Sequence, residues 1–111
     1  MPYDDLEQAY TLVRRGQGSL VASVYAEDAA FGAQAALALG DSHGRIHAIT
    51  PDVAALHTGH GNVMPMSLHG GPGRAGGGEE LGGLRAVKHL MQRAGLQGSP
   101  AMLAAVTGEG A

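Results

Sequence analysis

The chain has 111 residues, ten acidic against seven basic side chains, six histidines and a formal net charge of -3, a length that holds one small domain. The mild acidic excess, with one Phe, three Tyr and no Trp, excludes a basic, ring-lined surface for nucleic acid; no apolar run approaches the roughly 20 residues of a transmembrane helix, and the acidic start is not a secretory signal, so the chain reads as cytoplasmic with no membrane partner. The absence of Cys removes disulfides, thiolate metal ligands and a thiol nucleophile together.

Leu6, Ala9, Tyr10 and Val13 recur at helical spacing behind Asp4 as N-cap, with Glu7 three residues on, which predicts a helix over Asp5 to Arg15. Gly16 and Gly18 stop it. Ser19 to Tyr25 (SLVASVY) follows with apolar residues on both faces, the pattern of a strand covered on both sides. Glu27 and Asp28 open an alanine-rich second helix that runs through Phe31 and Leu39 to Gly40, and Arg45 to Thr50 (RIHAIT) reads as a second strand. Strand, helix and strand make a βαβ unit with parallel strands and a right-handed crossover, hence an α/β fold. Two strands leave a bare apolar edge, so the missing strands are expected from another segment or another chain.

Ten of the 19 glycines fall between Gly59 and Gly83, a loop built to turn tightly or approach something closely. A third helix is expected over Glu79 to Arg93, acidic at its start and basic at its end, with Leu81, Leu84, Val87 and Met91 as its buried stripe. Leu96 to Val106 is an apolar tail, either a strand or a docking arm, and Gly108 to Ala111 reads as frayed. Leu, Ile, Val and Phe together number only 22, about the share at which burial barely offsets chain entropy. Free chains are therefore expected to associate or to be only partly folded.

No complete catalytic constellation emerges. Gly71 to Gly76 satisfies GxGxxG, but the preceding residues contain Pro65 and make a poor strand, and no acidic residue follows at the spacing that holds a ribose. His57, His60 and His69 are spaced too closely and flanked by too much glycine to orient as metal ligands, so no metal is expected. The serines form no nucleophile elbow, and Asp4/Asp5 and Glu79/Glu80 read as helix-start carboxylates.

Leu68 to Gly82 (LHGGPGRAGGGEELG) resembles, without gaps, the aldehyde dehydrogenase segment that usually reads PFGGxKxSGxGRExG, with Gly70, Gly71, Gly76, Gly78, Glu80 and Gly82 on matching positions. Gly18 to Tyr25 resembles the family's GLxASV strand. His69 to Gly83, with Thr58-Gly59-His60-Gly61 before it and Gln97-Gly98-Ser99-Pro100 after it, is similar to the dehydrogenases of phenylacetate and benzoate breakdown, which oxidise a CoA-linked semialdehyde, usually with NADP.

This resemblance implies that residues 1–95 form the C-terminal part of an aldehyde dehydrogenase catalytic domain, and that 96–111 is a tail like the family's oligomerisation strand. It implies a substrate-pocket loop containing His60, His69, Gly70 and Gly71, with Gly76, Gly78, Glu80 and Gly82 as structural motif positions. His69 stands where most of the family has a pocket-lining Phe. The family's nucleophilic Cys, general base and NAD(P)-binding half would lie upstream of Met1, so this chain would bring no catalytic residue and bind no cofactor alone. Its partner would be the remainder of the dehydrogenase or a second copy of itself, in an oligomer. Two alternatives stand beside this reading: a non-catalytic module that docks on a separately encoded N-terminal portion, and a small phosphate binder using the glycine loop.

Overall fold

The protein is described from a computed structural model, in which residues 1–57, 59, 69–75, 84, 87, 91 and 94–108 are placed. Helix α1 spans Leu6–Arg14. Its N-cap is Asp5, one residue later than the periodicity suggested, because Gln8 rather than Glu7 closes the first turn. Gln8 N donates to Asp5 Oδ1 at 2.8 Å, while Asp4 N donates to the Gln8 side chain at 2.7 Å and Gln8 Nε2 donates back to Asp4 at 3.1 Å. These bonds satisfy donors that a helix start leaves without intrahelical partners. Gln17 and Gly18 then take positive φ, 60° and 84°, and swing the chain into strand β1, Ser19–Tyr25.

Helix α2, Ala29–Leu39, starts where Asp28 accepts from Phe31 N at 2.8 Å and ends at Gly40. Arg14 ties α1 to the far end of α2, donating to Ala38 O at 2.8 Å and lying 3.6 Å from Asp41; a cation there meets unpaired helix carbonyls. Strand β2, His43–Ile49, begins two residues before the expected strand. It pairs parallel with β1, Val21 opposite Arg45 and Tyr25 opposite Ile49, as the βαβ reading requires.

The tail corrects the expectation of one continuous strand or arm over Leu96 to Val106. Gly95–Gln97 is a short strand, β3, parallel to β2 of its own chain. Pro100–Thr107 is a helix, α3. The reason is local: Ser99 accepts from Met102 N at 3.2 Å and Pro100 occupies the first turn, where its missing N–H costs nothing. Gly108 caps α3 in the left-handed region, its N–H bonded to Ala104 O, so the fraying expected from Gly108 does not apply at that residue. Among the described residues the sheet thus has three strands in the order β1-β2-β3, one more than expected.

The three helices spanning described residues pack on one face. Ile46 is fully buried among Tyr10, Ala35, Ala36 and Leu39, with Ala22, Val24 and Leu96 beside it, and Ala48 packs with Ala33 and Met102. Small side chains on α2 bring the layers close: a Cβ on Gly32 would sit 3.2 Å from Met102 Cγ. The third predicted helix is described only at Leu84, Val87 and Met91. Leu84 and Val87 have helical backbone, but all three side chains face solvent, Leu84 at 83% exposure. The burial expected of these three is therefore overturned; Leu81, the fourth member of the expected stripe, lies outside the described residues.

Candidate functional site

β2 is buried along its whole length, yet three of its seven side chains are polar: His43, Arg45 and His47. His43 closes the turn out of α2, with Nδ1 3.2 Å from Leu39 O and 3.0 Å from Ser42 Oγ. Arg45 and His47 alternate with Ile46 and Ala48, which places them on the sheet face opposite the helices. Both are engaged there. The ring of His57, arriving after the turn at 51–56, stands edge-on to His47 with centroids 5.5 Å apart and planes at 77°. Sequence reasoning counted Arg45 and His47 only as strand residues. The signal available was polar side chains at 43, 45 and 47 within a strand short enough to be covered on both faces.

The described part of the glycine loop lies at the other end of the strands. His69 rests over Gly44, where an added Cβ would stand 2.7 Å from the imidazole. Gly70 and Pro72 are buried. Gly71 and Gly73 have φ of 77° and 54°. A Cβ at Gly73 would lie 3.0 Å from Gln17 O, and one at Gly18 would collide with the Ser42 carbonyl. The close approach these glycines permit is thus to the chain's own backbone, at the amino ends of β1 and β2. Open α/β sheets bind ligands outside the carboxyl ends. There a crevice of about 260 Å3 opens between Tyr25, Ala26, Glu27, Ile49 and Pro51; Thr50 on its floor donates to Asp52.

The structure therefore brings His69 to Gly44 and Gly73 to Ser42 and Gln17, with Gly70 and Gly71 in the chain between His69 and Gly73, and brings His57 to His47. His60, Gly76, Gly78, Glu80 and Gly82 lie outside the described residues. Among the described residues no three His, Asp or Glu side chains converge on a metal position, and no helix is long and apolar enough to cross a membrane. The arrangement offers imidazole and guanidinium groups along one strand but, with no Cys in the sequence, no thiol to attack a carbonyl.

No protein-family model matches the chain. It is 50% identical over 106 residues to Protein MaoC of Klebsiella aerogenes, covering 96% of this chain and 32% of that protein. It is 54% identical over 72 residues to the 3,4-dehydroadipyl-CoA semialdehyde dehydrogenase of Aromatoleum evansii, covering 65% of this chain and 14% of that enzyme. The chain thus spans about a third of the first relative's length and about a seventh of the second's. The chain is thus similar to a CoA-semialdehyde dehydrogenase of the aldehyde dehydrogenase family, in agreement with the glycine motif and the strand before it.

Proposed function

We propose that this chain is the C-terminal, non-reacting portion of an NAD(P)-dependent dehydrogenase that oxidises a CoA-linked semialdehyde during breakdown of aromatic compounds. The observation that carries the reading is the 54% identity to the Aromatoleum enzyme. The family's reaction needs a Cys thiolate to attack the aldehyde carbon, and this chain has none. Its residues therefore shape rather than react: β1 and β2 extend the catalytic sheet, and the loop carrying His60, His69, Gly70 and Gly71 forms one wall of the substrate passage. The described residues do not fit NADP or NAD. Their glycine turn, the candidate seat for a pyrophosphate, is closed against Ser42 and Gln17; the dinucleotide belongs to another part of a longer enzyme.

The test is a chimera carrying this whole chain in place of the matching part of the Aromatoleum dehydrogenase, assayed for reduction of NADP and NAD with a CoA-linked semialdehyde. The chimera is expected to turn over and the isolated chain to match a boiled control. Turnover by the isolated chain, or a folded but inactive chimera, overturns the reading.

A further inference from the structure

Gly44 is the one residue of β2 without a side chain, and its backbone does not ask for glycine. Positive φ accounts for Gly18, Gly71 and Gly73, but Gly44 has none, and a glycine inside a strand weakens it. What requires the glycine is a ring. A Cβ on Gly44 would find His69 at all three of its nearest contacts, with Cε1 and Nδ1 at 2.7 Å and Cγ at 2.9 Å. These atoms are consecutive in the imidazole, and an edge-on ring would bring one of them much nearer than the others. The ring therefore lies face down on the strand. Its Nδ1 is buried and the side chain is engaged, while the residue as a whole is only half-buried. His69 is seated without being sealed in.

We infer that Gly44 is a positioning residue for the substrate, which seats His69 and through it sets the width of the substrate passage. This rests on the reading that the loop carrying His69 forms one wall of that passage. Ordinary contact between a methyl group at position 44 and the ring needs about 3.5 Å or more, so an added Cβ lifts the imidazole off β2 by roughly 1 Å. The ring then moves into the passage. A shift of that size is large for a group that guides a substrate. The attacking thiol is not in this chain, so the loss falls on binding of the semialdehyde and spares the chemical step.

The chimera described above tests this with Gly44→Ala, His69→Ala and the pair. Gly44→Ala is expected to raise KM for the CoA-linked semialdehyde about tenfold and to hold kcat and the KM for NADP within about twofold, the pattern of lost uniform binding. His69→Ala removes the ring, so adding Gly44→Ala to it is expected to leave every constant within about twofold. An unchanged semialdehyde KM in Gly44→Ala overturns the inference, as does an equal rise in the His69→Ala background or a fall confined to kcat. If Gly44→Ala prevents folding of the chimera, the pair is expected to fold and to show the semialdehyde KM of His69→Ala; a pair that stays unfolded overturns the inference too. Urea unfolding of this chain alone separates the inference from the reading beneath it. Gly44→Ala is expected to lower the midpoint when His69 is present and not when it is Ala. That pattern beside an inactive unsubstituted chimera overturns the proposed function and leaves Gly44 as the seat of His69, whereas an active chimera without the pattern overturns the seat and keeps the function.

Discussion

β1 and β2 are neighbours of equal length, seven residues each, and hydropathy ranks them the wrong way round. The apolar one, SLVASVY, has no fully buried residue. The one with two histidines and an arginine is buried from end to end. Burial along a sheet is decided by how many neighbours a strand has, and β2 lies between β1 and β3 beneath α2. The composition of each strand then reports what the position demands. β2 tolerates polar groups because they are engaged, as His43 is by Leu39 O. β1 carries the composition of a covered strand without the cover.

The contrast can be broken or sharpened by substitution, each variant followed by urea unfolding. The largest effect is expected where β1 is fixed despite its exposure. Gly18→Ala must hold φ of 84° and drive a methyl group into the Ser42 carbonyl, and should cost more than about 3 kcal/mol. A tolerated alanine would mean that the amino end of β1 is as loosely held as its open side. Next, Ile46→Ala, which empties a fully buried site on β2, should cost about 2 to 5 kcal/mol, whereas Leu20→Ala on half-exposed β1 should stay within about 0.5 kcal/mol. Equal losses would erase the difference between the strands.

The smallest effect is expected at Tyr10, whose ring packs against Ile46 while its buried hydroxyl has no hydrogen-bond partner among the described residues. Tyr10→Phe removes an oxygen that was desolvated without compensation, so stability should hold or rise by up to about 1 kcal/mol. A loss of that size would mean that the hydroxyl has a role in the packed helix layer.

The βαβ unit was legible because its signals are local. Asp28 before an alanine run, Gly40 after it and short apolar segments on either side each act within a few residues. The same reading stumbled where structure depends on distant partners. Leu84, Val87 and Met91 have helical spacing, but periodicity says only that one face is apolar, not that this chain contains something to cover it. β3 was missed as a sheet strand because three residues carry too little pattern, and their pairing with Arg45, Ile46 and His47 is set by contacts far along the chain. The Ser99-Pro100 helix start was a local signal that the apolar run around it concealed. For the site, the glycine motif was legible as a close-approach loop, but what it approaches, Gly18, Ser42 and Gly44, is a tertiary fact. The family resemblance rested on that same loop and on the β1 strand, and the likeness to the Aromatoleum enzyme supports it at the level of family.

The order of strands along the chain also sets an order in time. β1, α2 and β2 are contiguous, whereas β3 joins β2 only after the 45 residues from 50 to 94 have intervened. Closing a loop of that length costs entropy before any pairing is gained, and long-range pairing is the slow part of folding. During synthesis the β1-β2 pair can therefore be complete while β2 still lacks its second neighbour. Until Gly95–Gln97 leaves the ribosome, the most polar strand of the sheet is itself an edge, and its arginine then serves as the charged guard that β1 never has.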